Sequence, residues 1–477
     1  MKAQSALEFV AEARTGRIDL EENTHKILDK VFASEKYNFF NSVSKDLALH
    51  QAKELNAKVK SGKASGKLFG LPVSVKDCIC VKGIESRAGS RILSGYLPVF
   101  DATVIAKAKA EGAIIIGKTS QDEFGFGTFS ANAGLGFKVP KNPLDFERAC
   151  GGSSGGSAGM TAFADFPHVS ISESTGGSIA CPASFCGVAG FTPTYGLVSR
   201  YGLIDYANSL DKIGSMGKTV SESSLLLEAI AGHDEKDSTS LNEKISFSPA
   251  KSPSAKGMKI GVIKEFFGQG INSGVSRIAW DSIKKLEKEG AKIREISLPL
   301  NAKYAIPAYY IIAMAESSTN LAKYCGMRYG AHESLSGSFN EYFSKVRSCN
   351  FGEEAKRRIL LGTFARMSGF RDAYYLRAMK ARTRLINEFK TAFKDFDVLV
   401  NPTMPVPAPK FSEIEKLSPI QQYAMDLCTV PANLAGLPHI SINAGLLQKM
   451  PVGIMFTAGH LQEERLVQAA SALEALK

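Results

Sequence analysis

Three times along this chain a stretch with helical spacing of apolar residues gives way to a short apolar run, and that alternation limits what it can fold into. In the first, Asp101 reads as the N-cap, Val104, Ile105 and Ala108 line one helix face, Gly112 is the stop, and Ala113-Ile-Ile-Ile-Gly follows as a buried strand. In the second, Ile278, Trp280, Ile283 and Leu286 mark a helix over Gly274–Glu289, Gly290 ends it, and Ala291-Lys-Ile-Arg-Glu-Ile is the strand. The third runs from Arg377 to Phe396 and into Asp397-Val-Leu-Val-Asn. Helices with one apolar face need a sheet to cover, so the pattern predicts an α/β fold, a layered mixed β-sheet flanked by helices.

The organisation expected is a single domain over 1–477. It begins with a helical N-terminal segment, 1–62, carrying two amphipathic stretches before Gly62. A catalytic-looking core occupies 63–232. His233–Gly257, rich in Ser, Lys, Asp and Pro, reads as a linker or surface loop. The part from 258 to 477 completes the fold, and within it Asn401–Pro409 reads as a proline-stiffened extended segment with no internal hydrogen bonds.

Several function classes drop out on composition. The longest apolar run, Ala308–Ala315, is far too short for a bilayer, and the N-terminus lacks a signal-peptide apolar stretch, so a cytoplasmic protein without a membrane partner is expected. The net charge of +11 is scattered rather than clustered, which reads as a solvated basic surface. Eight cysteines without CxxC pairs read as free thiols, and seven histidines without HxxxH pairing offer no metal site.

Two motif matches mislead. Gly112-Ala-Ile-Ile-Ile-Gly-Lys118-Thr119 fits the phosphate-loop pattern, but its intervening residues are themselves the strand, so no exposed amides cradle a phosphate. Gly151-Gly-Ser-Ser-Gly155 fits a nucleophile elbow, yet no downstream histidine sits in a comparably marked context.

The constructive reading starts from what a serine needs. Its hydroxyl is a poor nucleophile until a base takes the proton, and a lysine can be that base when it is neutral. Burial without a carboxylate partner favours the neutral amine. Lys76 lies in the apolar run Leu71-Pro-Val-Ser-Val-Lys, where a lysine is otherwise out of place; pairing with adjacent Asp77 is the bland alternative. Thr175-Gly-Gly-Ser178 lets backbone amides turn toward one point, as an oxyanion hole requires, with a serine beside it. Gly151–Gly156 brings a second serine, able to bridge lysine and nucleophile.

Taken in order, the VKD lysine, GGSSGGS, STGGSI and CPASFCGVAGFTPTYG resemble the amidase signature family. The resemblance implies a Ser–cis-Ser–Lys triad: Ser178 the nucleophile, Ser153 the bridging serine on a cis peptide, Lys76 the base, and the amides of Thr175, Gly176 and Gly177 the oxyanion hole. Asp122-Glu-Phe, Tyr309-Tyr-Ile-Ile, Lys356-Arg-Arg-Ile-Leu-Leu and Asp426 through Pro438 are similar to one branch, the glutaminase subunits of tRNA-dependent amidotransferases. That branch implies glutamine as substrate, with Arg358 on its carboxylate, Asp426 on its ammonium and Tyr309 or Tyr310 nearby. Arg357 remains open as the inward arginine. It also implies two partners, an ATP-using transamidase and kinase subunit together with a further small one. Aminoacyl-tRNA (Glu-tRNA(Gln) or Asp-tRNA(Asn)) is reached through that complex. No cofactor is implied in this chain, ATP and Mg2+ belonging to the partner. The alternatives are a stand-alone amidase acting on small amides and, more remotely, a silent scaffold or RNA-binding component. The chain departs from the family at Cys78, at Ser174 where an aspartate is usual with Glu173 beside it, at Ala180 where an arginine is usual, and by one extra residue around Phe163–His168.

Overall fold

The computed structural model describes residues 4–243, 247 and 253–476. Its strands are β1 (Phe40–Val43), β2 (Pro72–Lys76), β3 (Ile114–Thr119), β4 (Lys141–Asn142), β5 (Asp145–Ala149), β6 (Val169–Ser174), β7 (Ala189–Thr192), β8 (Lys212–Gly217), β9 (Lys259–Ile263), β10 (Lys292–Ile296), β11 (Val398–Pro402), β12 (His439–Leu447) and β13 (Met450–Ala458). Among the described residues eleven of these form one sheet in the order β1-β3-β2-β6-β8-β7-β12-β13-β11-β9-β10, with β4 and β5 a separate hairpin. The sheet is mixed. β3, β2 and β6 run parallel, as do β11, β9 and β10, and the pairs between those groups are antiparallel. Both halves of the sequence therefore contribute to one sheet.

The sequence explains most of this. Every residue of β2, β3, β6 and β8 is buried, as expected of strands covered on both faces, yet only Ile114–Ile116 reads as an apolar run; β6 and β8 also bury Ser170, Ser172, Glu173, Ser174, Lys212 and Ser215. The three helix–strand units appear as Thr103–Ala110 with β3, Ser273–Lys288 with β10, and Arg377–Ala392 with β11. Gly112 and Gly290 both take positive φ, at 84° and 95°, where an L side chain would be strained.

Two expectations need correction. Asp101 does not cap its helix: the N-cap is Ala102, without a side-chain bond, while Asp101 accepts from the Lys82 N–H and pairs with Lys109. The N-terminal segment holds three helices, Ala6–Arg14, Leu20–Ala33 and Lys45–Lys60, and the edge strand β1 rather than two helices alone. The Asn401–Pro409 segment begins as the end of β11, and its Thr403 N–H donates outside the segment, to Gly453 O at 2.9 Å. Of the stretch 233–257, residues 244–246 and 248–252 lie outside the described residues. Its first part is tied down, with Asp234 accepting from Thr103 and Ser199, and Asp237 from the Arg200 N–H.

What matters for the site is where chains leave the sheet. β2 and β6 are parallel neighbours, so Lys76 and the segment from Glu173 onward emerge at the same end. β8 is antiparallel to β6, with Ser174 opposite Lys212, and this delivers Asp211 to the same edge. Carboxyl ends of parallel strands are the usual place for a binding crevice in an open α/β sheet.

Candidate active site

Lys76 closes β2 and is fully buried. Its Nζ lies 2.7 Å from Ser153 Oγ, 3.0 Å from Glu173 O and 2.8 Å from Glu173 Oε2. The bland partner, Asp77, is turned away: its carboxylate accepts from Asn41 and the N–H groups of Arg87 and Gly89. The expectation of a buried lysine without a carboxylate partner is thus wrong in one respect. The partner exists, and it is Glu173, brought to Lys76 by the parallel pairing of β2 with β6.

Ser153 sits on a cis Gly152–Ser153 peptide. The loop is held by Asp122, whose two oxygens accept from the Ser130 and Asn132 N–H groups, while Gly152 N–H donates to Thr128 O and Ser130 Oγ to Gly151 O. A Cβ on Gly152 would lie 2.3 Å from Asp122, so only glycine fits. Burial pushes the Asp122 carboxyl up to about 6 against these donors.

The segment Ser174–Ser178 leaves β6 and runs into the helix Ala180–Cys186. The cis loop packs on the start of that helix, since a Cβ on Gly151 would lie 2.8 Å from Pro182 Cα. Tyr309 and Thr429 roof the glycines: a Cβ on Gly176 would meet the Tyr309 hydroxyl at 2.8 Å and one on Gly177 the Thr429 hydroxyl at 2.4 Å. The N–H groups of Gly176 and Gly177 and the Ser178 hydroxyl have no hydrogen-bond partner among the described residues. Lys76 and Ser153 are therefore joined in this structure, and the link from Ser153 to Ser178 is open. Catalytic hydrogen bonds often tighten only around bound substrate. The Thr175 hydroxyl faces Glu173 and Asp211, and its carbonyl accepts from Asn433. At the two departures from the family, Ser174 Oγ is buried without a partner and Ala180 packs with Ala432 and Met455.

Beside this machinery lies an aromatic box around Arg358, on the helix Glu353–Arg366. The guanidinium carbon is 5.0 Å from the Phe126 ring centroid, 5.4 Å from those of Tyr310 and Tyr423, and 5.7 Å from that of Tyr206. Nε donates to Glu354 at 2.8 Å and Nη1 to the Tyr206 hydroxyl. Arg358 is the inward arginine; Arg357 is 40% exposed and pairs with the other Glu354 oxygen. Tyr310 joins this cation to Asp426, since its ring contacts Arg358 and its hydroxyl donates to Asp426 Oδ2 at 2.7 Å. Burial pushes the Asp426 carboxyl up to about 6. Tyr309 stands edge-on to Tyr310, its ring 4.9 Å away, and faces the glycine turn rather than Asp426.

Glu173, Asp211, Asp122, Tyr206, Glu354, Tyr423 and Phe126 were not among the expected site residues. Glu354 carried a usable signal in its position four residues before Arg358 on a helix, Asp122 in a motif that carries the resemblance, and Glu173 in standing beside the departure at Ser174. Lys118 of the phosphate-loop match is buried inside β3, with Nζ donating to Asp77 O, Ile79 O and Ser86 Oγ. Among the described residues no group of three or more His, Cys, Asp or Glu is placed to hold a metal ion, no helix is long and apolar enough to cross a membrane, and the eight cysteines are free thiols.

A family model described as Amidase matches residues 22–467. The chain belongs to the amidase family. Among its relatives, the A subunit of the glutamyl-tRNA(Gln) amidotransferase of Methanococcoides burtonii is 45% identical over 416 residues, 87% of this chain and 86% of the relative. The protein of the same name from Carboxydothermus hydrogenoformans is 43% identical over 472 residues, 98% of this chain and 96% of the relative. The crystal structure of the corresponding A subunit from Thermotoga maritima matches with a TM-score of 0.79 at 35% identity, covering 98% of this chain and 93% of that one. As an amidase, the chain has the expected layered sheet.

Proposed function

We propose that this amidase is the glutaminase subunit of a tRNA-dependent amidotransferase. It hydrolyses glutamine to glutamate and ammonia, and a partner uses that ammonia to convert Glu-tRNA(Gln), or Asp-tRNA(Asn), to the amidated form. The observation that carries the substrate assignment is the Arg358–Tyr310–Asp426 arrangement. It sets a fixed cation and a carboxylate on two sides of one tyrosine, beside the glycine turn. A free amino acid offers a carboxylate to the first and an ammonium to the second. A simple amide has nothing to satisfy such a pair. The names of the relatives support the rest, because a lettered subunit implies others. In this reading one ATP-using partner activates the tRNA-borne carboxylate with Mg2+, and a small partner completes the complex. The reading puts the chain in the cytoplasm, where aminoacyl-tRNA is found.

Ser178 Oγ then attacks the side-chain carbonyl of glutamine, its proton passes to Ser153, and that of Ser153 to Lys76. The N–H groups of the glycine turn hold the oxyanion. Lys76 returns a proton through Ser153 to the departing nitrogen, ammonia leaves, and water cleaves the glutamyl ester of Ser178 by the same proton path. Arg358→Met tests both halves of the proposal. In the assembled complex it is expected to lower glutamine-dependent amidation of Glu-tRNA(Gln) by about 10²-fold or more while leaving amidation from added ammonium unchanged. Equal loss with both nitrogen donors, or no loss with glutamine, refutes the clamp.

Asp426 adds a pH signature. Its carboxyl is raised to about 6, so it is charged above that pH and neutral below. Attraction to the substrate ammonium is then present above pH 6 and lost as pH falls through it. The KM for glutamine is expected to rise between pH 7 and 5 relative to that for glutaramate, which lacks the ammonium. Taking the ratio removes the titrations of Asp122, at about 6, and Glu123, at about 7, because both substrates share them. A flat KM ratio across that range refutes the assignment of Asp426.

A further inference from the structure

The buried carboxylate of Glu173 has no part in a Ser–Ser–Lys triad, yet it touches the base. Its side chain is 4% exposed. Oε2 lies 2.8 Å from Lys76 Nζ and Oε1 accepts from the Thr175 hydroxyl at 2.7 Å. The same hydroxyl lies 2.8 Å from Asp211 Oδ1. A hydroxyl has one proton, so it cannot donate to two carboxylates together. One of the carboxyls must carry a second proton. Burial, and next the charge of Glu173, push the Asp211 carboxyl well above the usual range. Asp211, which also accepts from the Tyr206 and Ala207 N–H groups, is the one pushed toward the neutral acid; it then donates to Thr175 Oγ1 and Thr175 to Glu173 Oε1, which leaves Glu173 Oε2 facing Lys76.

The three contacts of Lys76 suit both of its protonation states. A neutral amine has two N–H groups and a lone pair. With the N–H groups on Glu173 O and Oε2, the lone pair is left for the Ser153 hydroxyl. When the proton arrives, the resulting ammonium has three N–H groups and three acceptors. Resting on the reading that Lys76 is the base, we propose that Glu173 is its positioning residue: it aims the amine at Ser153 and stabilises the ammonium formed in the transition state. The arrangement follows the logic of a Ser-His-Asp triad, in which a buried carboxylate orients the base and stabilises its charged form. Atoms balance without a new reactant. The Ser178 O–H bond breaks, an N–H bond forms on Lys76 by way of Ser153, and the proton later goes to the leaving ammonia.

The pH profile separates this role from a structural one. A carboxylate beside the base favours the ammonium, so the wild-type acidic limb lies higher than that of a variant lacking the charge. Glu173→Gln keeps the shape. It is expected to lower the plateau kcat by about 10²-fold and to move the acidic limb of kcat/KM toward acid. The ratio of variant to wild type should therefore rise as pH falls. Other groups facing the pair are Asp211 across Thr175, Asp122 behind the serine loop, Tyr206, Arg358, and Cys78, with Asp77 and Lys118 beyond it. They are common to both proteins and cancel in the ratio. Glu173→Asp retains the charge on a shorter stem, and its limb should stay near the wild-type position while its rate falls.

The same profiles can be read from inactivation by phenylmethylsulfonyl fluoride, which reports the nucleophile without requiring glutamine. Failure of the glutamine assignment thus leaves this test intact. A ratio constant with pH, or a Glu173→Asp limb displaced as far as that of Glu173→Gln, overturns the inference. A wild-type chain inert to the reagent overturns both this inference and the Ser–Ser–Lys reading on which it rests.

Discussion

Ser178→Ala is expected to reduce ammonia release from glutamine by about 10⁴-fold or more while shifting the melting temperature by no more than about 2 °C. The two halves have separate causes. Activity depends on Ser178 Oγ because the proposed path forms an ester on that atom, and no neighbouring hydroxyl stands in the same relation to the glycine turn. Ser153 is already engaged with Lys76, and Ser174 Oγ is buried without a partner. Stability is spared because the Ser178 hydroxyl makes no hydrogen bond among the described residues, so its removal strands no donor or acceptor. The methyl group left behind is also too small a change to open a cavity. Ammonia release and thermal unfolding measured on the same preparation decide it. A folded variant with near-normal turnover would remove Ser178 from the chemistry, and a variant that loses activity only because it unfolds would leave no case for the nucleophile.

The parts of this site that were legible in the sequence are those whose chemistry lies in one stretch of chain. Gly-Gly next to a serine signals a turn wherever it falls, and Lys76 stands out because a lysine inside an apolar strand needs a reason. The phosphate-loop match could be rejected on the same local ground, since Ile114–Ile116 had to be strand and Lys118 is in fact buried within it. What the sequence hid is set by pairing between distant segments. Nothing near Glu173 announces that β6 lies beside β2, in parallel and in the register that lays a carboxylate on Lys76. The aromatic box is illegible for the same reason: Phe126, Tyr206, Tyr310 and Tyr423 come from four separate segments and meet only around Arg358. Local signals also failed where tertiary contacts overrode them. Asp101 looked like a cap but serves Lys82 and Lys109 instead. Phe40–Val43 is half-buried at every position, so it shows no alternation from which a strand could be read.

Lys76→Met should be as damaging as loss of the nucleophile for activity, and unlike it should also weaken the fold. Turnover is expected to fall by about 10³- to 10⁴-fold, because Ser153 then has nothing to receive its proton. The stability effect follows from Glu173. Methionine fills most of the lysine's volume but brings no charge, and a buried carboxylate is left without its cation. Removing one partner of a buried pair costs about 3–5 kcal/mol, a loss that thermal unfolding of wild type and variant at one scan rate will show. Adding Glu173→Gln to Lys76→Met removes the stranded charge. The double variant should regain most of the lost stability at neutral pH and none of the activity. A double variant no more stable than Lys76→Met would mean that the Lys76–Glu173 contact is not the ion pair the geometry describes. Recovered turnover in the double variant would mean that the base lies elsewhere.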